Sequence, residues 1–260
     1  MTDRPSARAT FDDFARFYDA FTAHHDYDAW MPALEALALR HGLKGRRLLD
    51  VATGTGKSFL PLLRRGYEVS ACDVSPAMLS RAAAKAGSTV ELFEADMRAL
   101  PGLGRFDFVT CIDEPLNYLL SPGDLSAAFA SARECLRRDA IYLFDLNTLG
   151  AYRSLFSTDS SYDAEGWFFV WRGCSSPDVE PGACAEATIE AFEPCEDGSW
   201  RRMTSRHVQR HFPAALVTDL LEQAGLRELA VYGQSPDGRI DDHVDELRHT
   251  KRIHVASRPV

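Results

Sequence analysis

Residues 48–58 read LLDVATGTGKS, an apolar run followed by a turn of small residues. The apolar run predicts a β-strand, and the periodic apolar residues over 57–65 predict a helix after the turn. A turn of glycine and threonine lets backbone N–H groups approach a polar ligand closely, because larger side chains there would block the approach. This segment therefore predicts a strand, a ligand-binding turn and a helix.

The residues on the carboxyl side continue the same alternation. Strands are predicted over 47–52, 67–72, 90–94, 106–112 and 140–146, and helices over 57–65, 76–86 and 124–137. Two further strands, over 229–232 and 252–257, complete the expected set. Short apolar strands separated by helices are typical of a mostly parallel sheet covered on both faces. We therefore expect an α/β fold, a Rossmann-like, seven-stranded, doubly wound sheet.

The remaining segments divide the chain into four parts. Aromatic residues at helical spacing, such as Phe14, Tyr18 and Phe21, predict an N-terminal helical cap over 1–46, with a second helix starting at Pro32. The core would span 47–160. Strand-like runs over 167–171, 183–192 and 200–212 predict an antiparallel β insertion over 161–212. Residues 213–260 would then return to the core sheet through a helix over 213–224.

Composition excludes several classes of protein. The 260 residues are 45% hydrophobic and 26% charged, as in ordinary globular proteins. A net charge of −9 gives no overall attraction to nucleic acid or anionic membranes. With no long apolar run and no apolar signal segment, a cytoplasmic protein is expected. The six cysteines include no CxxC pair, so neither a metal site nor a disulfide is expected.

Two common ligands fit the glycine turn poorly. A phosphate-binding P-loop would place its first glycine at Val51. A dinucleotide fingerprint starting at Gly54 would place its third glycine at Phe59, a bulky ring where helix and strand should pack closely. Both ATP and NAD are therefore disfavoured.

A third interpretation uses the surrounding residues. The pattern Asp50-x-Ala52-x-Gly54-x-Gly56 resembles the first motif of the class I S-adenosylmethionine-dependent methyltransferases, with alanine in place of the first glycine. Asp73 follows at the end of the second strand, where an acidic residue can accept hydrogen bonds from both ribose hydroxyls. Asp96-Met97 after the third strand resembles the adenine-binding step of that family.

The resemblance implies S-adenosylmethionine as cofactor and S-adenosylhomocysteine as product. It also implies the family's aromatic lid, an N-terminal tyrosine in a Tyr-Asp segment, which Tyr18 matches. The implied cofactor-binding residues are Tyr18, Tyr27, Trp30, Asp50, Ala52, Thr53, Gly54, Gly56, Asp73, Val74, Met78, Asp96, Met97 and Ile112.

The loop after the fourth strand should face the methyl group. It reads Asp113-Glu114-Pro115-Leu116, which departs from the D/N-P-P-Y/F motif of DNA and protein amide methylases. Glu114 is the leading candidate for deprotonating or orienting an amine or hydroxyl, the other interpretation being a solvated loop carboxylate. Tyr118 could line the same pocket.

The insertion is expected to form the acceptor side. Alternation in its last strand puts His207 and His211 on one face as further catalytic candidates. Arg202, Arg206 and Arg210 share the opposite face, with Glu186 and Glu190 beside them if Glu196 to Gly198 form a three-residue turn. An exposed ladder of ion pairs is then favoured over an RNA contact.

Three functions stay open. The layout resembles sugar and amino-sugar N-methyltransferases of bacterial natural-product pathways, which implies a small-molecule acceptor and N-methylation. It also resembles bacterial enzymes that methylate a modified wobble uridine in tRNA, although the acidic balance favours a small acceptor. A protein that binds S-adenosylmethionine or S-adenosylhomocysteine without catalysis is the third. No membrane partner is expected, and the oligomeric state stays open, a homodimer included.

Overall fold

The computed structural model describes residues 6–259, which contain two sheets. The large sheet has eight strands in the order β11-β10-β12-β5-β4-β1-β2-β3. Its strands are β1 (Arg47–Val51), β2 (Glu68–Asp73), β3 (Glu91–Glu94), β4 (Phe106–Cys111), β5 (Leu136–Asn147), β10 (Arg227–Gln234), β11 (Ile240–Asp241) and β12 (Lys251–Ser257). The small antiparallel sheet contains β6 (Asp159–Ala164), β7 (Trp167–Gly173), β8 (Cys184–Pro194) and β9 (Trp200–Arg210).

The order of the large sheet reverses beside β1. From β1 the chain moves outward through β2 to β3, and then returns to β4 and β5 on the other side of β1. The β1–β2, β1–β4, β2–β3 and β4–β5 pairs are all parallel. Crevices form beyond the carboxyl ends of strands where such an order reverses. The topology therefore places the glycine turn after β1 at a binding crevice.

Helices cover both faces of the large sheet. They are α1 (Ala7–Phe14), α2 (Tyr18–Phe21), α3 (Tyr27–Arg40), α4 (Phe59–Arg64), α5 (Pro76–Ala86), α6 (Pro122–Cys135), α7 (Leu149–Ser154) and α8 (Ala214–Gln223). One core joins α6 and α8 to the sheet through residues such as Phe129, Tyr142 and Leu221. The other joins α3 and α4 to the opposite face through residues such as Leu34 and Phe59.

The small sheet packs against the N-terminal helices. Phe14 and Phe17 form a buried cluster with Phe169, Ile189 and Ala191 from β7 and β8. In addition, Thr10 of α1 donates a hydrogen bond to the backbone carbonyl of Arg206 in β9. Since α2 also contacts the glycine turn through Asp19 and Thr55, the insertion supports the cover of the crevice.

The α/β fold class is confirmed, with three differences from the sequence expectations. The described part of the large sheet has eight strands rather than seven, because the two-residue β11 is too short to show an alternating pattern. The small sheet begins at Asp159 with β6, a polar strand that hydrophobic alternation does not reveal. Finally, α3 begins at Tyr27, where Asp26 caps it, and Pro32 lies inside the helix.

Among residues 6–259, no helix has both the length and the apolar character needed to cross a bilayer.

Candidate active site

A cleft opens beyond the carboxyl ends of β1 to β4. Its outer part has a volume of about 490 Å³, and a narrower inner part adds about 70 Å³. The two parts share Ala52, Val74, Met97, Pro115 and Tyr118 as lining residues. A cleft of this size is within the usual range for a small-molecule ligand.

The glycine turn is held from beneath by Asp50. This buried carboxylate accepts hydrogen bonds from Thr53 Oγ1 at 2.6 Å, Ser58 Oγ at 2.5 Å and Thr110 Oγ1 at 2.7 Å. Burial raises the pKa of Asp50, and the three hydroxyl donors oppose that shift. The side chains of Asp50 and Thr53 thus bond to each other under the turn and shape it, and their predicted part in cofactor binding stays a prediction.

The backbone of the turn explains its small residues. Ala52, Gly54 and Gly56 all have positive φ, at 55°, 55° and 85°. A Cβ atom on Gly56 would lie 2.8 Å from the Phe59 ring. The ring that breaks the dinucleotide pattern therefore fills the space above Gly56. Ala52 and Gly54 line the cleft itself.

Asp73 presents a buried carboxylate to the inner cleft. Its Oδ2 accepts a hydrogen bond from the Gly54 N–H at 2.8 Å, and its Oδ1 accepts one from the Ser75 N–H at 2.9 Å. Burial raises the pKa of Asp73 to about 6, against the lowering effect of these donors. Each oxygen keeps a lone pair for a ligand. These two oxygens are the acceptors that the hydroxyl groups of a ribose diol need.

The outer cleft offers a polar edge and apolar walls. Asp96 lines it, and hydrogen bonds from Arg98, which also bonds Asp124, lower the Asp96 pKa. Met97, Ala95, Leu119 and Leu120 line the same space. These residues fit a flat heterocycle with an exocyclic amine.

Aromatic residues of the N-terminal helices close the inner cleft. Tyr18 lines it together with Phe11, Met78 and Ile112, and its ring lies 4.0 Å from where a Cβ on Gly54 would be.

The polar atoms of Tyr27 and Trp30 have partners within the protein. Tyr27 donates a hydrogen bond to Asp113 Oδ2 at 2.7 Å, and Trp30 Nε1 donates to Gln234 at 2.9 Å. Tyr27 therefore contacts the acidic loop after β4 and Trp30 contacts β10, while a contact of either residue with the cofactor stays a prediction.

That loop carries a cluster of charges. Asp113 and Glu114 both adopt left-handed backbone conformations, with φ of 75° and 54°. Lys251 Nζ lies 2.9 Å from Asp113 Oδ1 and 2.9 Å from Asp145 Oδ2, and it contacts the Glu114 carboxylate. One lysine therefore faces three carboxylates.

The two loop carboxylates differ in acidity. Burial raises the pKa of Glu114 to about 7. The negative charges of Asp113 and Asp145 also raise it and offset part of the lowering effect of Lys251. The pKa of Asp113 is held low, although burial opposes this, because Lys251, His25 and Tyr27 all stabilise its charge. Burial raises the pKa values of Tyr18, Tyr118 and Tyr152, and the negative charge of Glu114 adds a smaller effect in the same direction.

The predicted histidines occupy different surroundings. His207 is buried, its Nδ1 lies 2.7 Å from the Tyr118 hydroxyl, and burial lowers its pKa to about 3. It lies behind Tyr118, which lines the cleft. His211 accepts a hydrogen bond from the Gly182 N–H at 3.1 Å and packs against Tyr152. The structure therefore places His207 behind Tyr118 and gives His211 a packing position in the insertion.

The arginine face of β9 is paired as the ladder interpretation predicts. Arg202 bonds to Glu190 and Arg206 to Glu186, while Arg210 donates to the Leu120 carbonyl at 3.1 Å. Residues 196–198 form the expected three-residue turn, since Cys195 N–H donates to the Ser199 carbonyl.

Sequence reasoning missed Lys251, Asp145 and Asp113 as site residues. Lys251 and Asp145 lie on neighbouring antiparallel strands far along the chain from Glu114, so no motif connects them. The only local signal is a charged residue at the end of an apolar strand, as in Phe144-Asp145-Leu146.

Comparisons with known proteins agree with this geometry. Residues 48–139 match the family model described as a methyltransferase domain. A protein of Geobacillus sp. (strain WCH70), provisionally named a methyltransferase, is 30% identical over 234 residues, which are 88% of this chain and 93% of that protein. A glycine/sarcosine N-methyltransferase of Halorhodospira halochloris is 30% identical over 72% of this chain and 68% of its own length.

Solved structures show the same fold. An S-adenosylmethionine-dependent methyltransferase from Clostridium acetobutylicum superposes with a TM-score of 0.80, at 22% identity, over 96% of this chain and 99% of that chain. The sugar N-methyltransferase KedS8 from Streptoalloteichus sp. superposes with a TM-score of 0.74, at 19% identity, over 100% and 96% of the two chains. Together with the match to the Geobacillus protein, this shows that the chain belongs to the methyltransferase family.

Proposed function

We propose that this enzyme transfers the methyl group of S-adenosylmethionine to an amine nitrogen of a small molecule. The observation that carries the proposal is the anionic loop after β4. Three carboxylates share one lysine there, and one of them, Asp113, lines the inner cleft together with Tyr18 and Tyr118. An anionic wall beside the transfer point attracts a protonated amine and can accept its proton.

In this proposal the cofactor occupies the cleft from the glycine turn outward. The Asp73 carboxylate accepts the ribose hydroxyls, and Asp96 with Met97 holds the adenine. Ala52 and Gly54 allow the chain to approach the cofactor closely, while Val74, Met78 and Ile112 provide apolar contacts. Tyr18 covers the inner end. The support is that all nine of these residues lie on the cleft wall.

The protein contributes orientation and proton handling. S-adenosylmethionine supplies a methyl group already activated on a sulfonium, so a strong catalytic base is not required. An ammonium acceptor must first lose a proton, which Glu114 takes from the nitrogen. The nitrogen lone pair then bonds to the methyl carbon, the carbon–sulfur bond breaks with its electron pair going to sulfur, and Glu114 releases the proton to solvent. With a pKa of about 7, Glu114 can both accept and release that proton near neutral pH.

The surface of the insertion favours a small acceptor over tRNA. An RNA enzyme needs cationic side chains that are available to phosphates. The four arginines of β9 are instead bonded to Glu186, Glu190, Glu193 and a backbone carbonyl. The N-methyltransferases found among the relatives and neighbours, acting on glycine and on sugars by their names, point to the same chemistry.

The test is transfer of a labelled methyl group from S-adenosylmethionine, with small metabolites and bulk tRNA offered separately. We expect label in basic metabolites. Glu114→Gln should lower transfer by about 100-fold or more, the size expected for a lost proton acceptor, while S-adenosylhomocysteine binding stays within about twofold because Glu114 is outside the cofactor residues.

The matched control is Glu222→Gln, which makes the same change at an exposed position of α8. It should transfer like the wild type. Label in tRNA would contradict the proposal. Tight cofactor binding with no transfer to either fraction would favour the binding protein without catalysis.

A further inference from the structure

The charge cluster behind Glu114 is built from two strands of the core sheet. Asp145 lies on β5 and Lys251 on β12, which pair in an antiparallel register with Ile253 opposite Asp145 and Lys251 opposite Asn147. The Asp145 side chain is fully buried and that of Lys251 is 14% exposed. The Lys251 Nζ also lies 5.3 Å from the centre of the Trp30 ring. These side chains are therefore fixed by the rigid part of the fold.

Asp145 holds the backbone that presents Glu114. Its Oδ1 accepts the Asp113 N–H at 2.7 Å, and both of its oxygens accept the Glu114 N–H at 3.2 Å. Asp113 and Glu114 are in a left-handed conformation that residues other than glycine rarely adopt and that persists only where the surroundings enforce it. Lys251 in turn bonds to Asp145 and to Glu114. The lysine thus connects the backbone support of this turn to the carboxylate that the turn carries.

We propose that Lys251 is a positioning residue for methyl transfer, which orients the Glu114 carboxylate toward the acceptor and favours its ionised form. This inference rests on the proposed function, because it explains how Glu114 is prepared to take the proton. Lys251 acts through Glu114 and Asp145.

The charged and titratable groups around Glu114 fix the sign of the expected effects. Asp113 and Asp145 disfavour its ionisation, and Lys251 favours it. The phenols within range are Tyr18, Tyr118 and Tyr152. On the far side of Asp113 lie His25, Tyr27 and Lys57. Removing the Lys251 charge should therefore raise the Glu114 pKa, and removing the Asp145 charge should lower it.

The direct test is a ¹³C NMR titration of the full-length protein with labelled glutamate carboxyl groups. The Glu114 signal is identified by its loss in Glu114→Gln. In Lys251→Met the midpoint should move to a pH higher by about one or more, the effect of losing an opposite charge at contact distance. Lys251→Arg should stay near the wild type. In Asp145→Asn the midpoint should move to lower pH.

Binding of S-adenosylhomocysteine within about twofold of the wild type shows that each variant is folded. If Lys251→Met does not fold, the opposite-sign shift in Asp145→Asn and the small change in Lys251→Arg still test the proposal. An unchanged midpoint in Lys251→Met, or shifts of the same sign in Lys251→Met and Asp145→Asn, would overturn it.

The pH profile of kcat/KM with a labelled amine acceptor separates this inference from the proposed function. In Lys251→Met the rising limb should move to higher pH. The value of kcat/KM at neutral pH should then fall by up to about tenfold for each pH unit of that shift. If the enzyme methylates the amine but the rising limb has the same midpoint in Lys251→Met as in the wild type, the role of Lys251 is rejected and the proposed function is kept. Transfer to a hydroxyl or to RNA would reject the proposed function whatever the NMR midpoints show.

Discussion

Ala52 occupies a backbone conformation that suits glycine. It stands where the family has its first glycine, and its φ is 55°. An L-residue pays roughly 1 kcal/mol in this region, since its Cβ approaches the backbone. The departure from the family motif is thus a local strain at the wall of the cleft, enforced by the buried Asp50 network beneath it.

Replacing this alanine should relieve the strain. We expect Ala52→Gly to raise the free energy of unfolding by about 0.5 kcal/mol. The reason is that the strain energy removed at positive φ is larger than the stability lost because glycine makes the unfolded chain more flexible. The matched control is Ala83→Gly on the exposed face of α5, which should lower stability by about 1 kcal/mol. Urea unfolding measures both, and equal losses in the two variants would show that Ala52 is not strained.

Asp73 should make cofactor binding depend on pH. Its pKa in the free protein is raised to about 6, so the ionised carboxylate that accepts hydroxyls is lost as the pH falls through that value. The dissociation constant of S-adenosylhomocysteine should therefore rise about tenfold between pH 7 and pH 5. Asp73→Asn should bind about 10- to 100-fold more weakly at pH 7 and remove this dependence.

Asp96→Asn provides the control for that titration. Hydrogen bonds from Arg98 hold the Asp96 pKa below its ordinary value, so Asp96 stays ionised over the whole range. The variant should keep the pH dependence of the wild type. A wild-type affinity that is flat between pH 7 and pH 5 would mean that Asp73 does not meet the ligand.

The position of a site residue was predictable from sequence where the residue belongs to a local motif. Asp73, at the end of a strand, and the glycine turn are of this kind. Lys251 was not, because its partner Glu114 is 137 positions away and only the pairing of β5 with β12 brings them together. The roles of Tyr27 and Trp30 were also beyond reach, since the direction of a side chain on α3 depends on the docking of that helix.

Among the elements, α2 is the cover of the inner cleft. Asp19 bonds to Lys85 at 2.7 Å and accepts a hydrogen bond from Thr55 Oγ1 at 2.6 Å, and Lys57 donates to the Thr22 carbonyl at 2.7 Å. These bonds fasten α2 to the glycine turn and to α5. The helix is only four residues long, so its position depends on these contacts and on the aromatic cluster above it.

The cover should slow cofactor release. We expect Tyr18→Ala to raise the dissociation rate of S-adenosylhomocysteine about tenfold or more, because the variant opens the wall beside Gly54. Tyr18→Phe keeps the ring and should stay within about twofold. Stopped-flow displacement measures both rates. If Tyr18→Ala releases the ligand no faster than Tyr18→Phe, the ring does not cover it.

Element types followed from periodicity wherever apolar residues set the pattern. The strands β1 to β5, β7 to β10 and β12 and the helices α4, α5, α6 and α8 were predicted to within a few residues. The polar β6 and the two-residue β11 were not, because only their pairing with the adjacent strand defines them. The short α7 was also missed, and it depends on contacts with the distant Glu246.

On the scale of the whole molecule, His207 connects the insertion to the site. It lies between Phe11, Phe14 and Tyr118, where the small sheet meets the N-terminal helices and the loop after β4. Burial lowers its pKa to about 3, so it is neutral throughout the physiological range. Neutrality makes it a hydrogen-bond partner that orients Tyr118, and a poor candidate for proton transfer by itself.

His207 should contribute to acid sensitivity. In the unfolded chain the imidazole of this residue is protonated near pH 6.5, whereas in the folded protein it is protonated only near pH 3. The free energy of unfolding therefore decreases as the pH falls between these values. Between pH 7 and pH 5 this loss is about 2 kcal/mol. His207→Gln keeps a hydrogen bond to Tyr118 and should lose that much less stability over the interval. Parallel acid dependences of urea unfolding in the two proteins would contradict this account.

The architecture as a whole was predictable, whereas the acceptor site was not. Alternating strands and helices with a glycine turn define the cofactor half through local sequence. The proposed acceptor half consists of the loop after β4, the strands β5 and β12 and the insertion, which meet only through packing of the folded chain.

The most direct test of the central claim is the position of the transferred carbon. The enzyme is supplied with S-adenosylmethionine labelled with ¹³C in its methyl group and with fractionated small metabolites, and the product is examined by NMR and mass. We predict one new N-methyl signal in an amine product, absent with Glu114→Gln and present with Glu222→Gln. An O-methyl signal, or label confined to nucleic acid, would contradict the account.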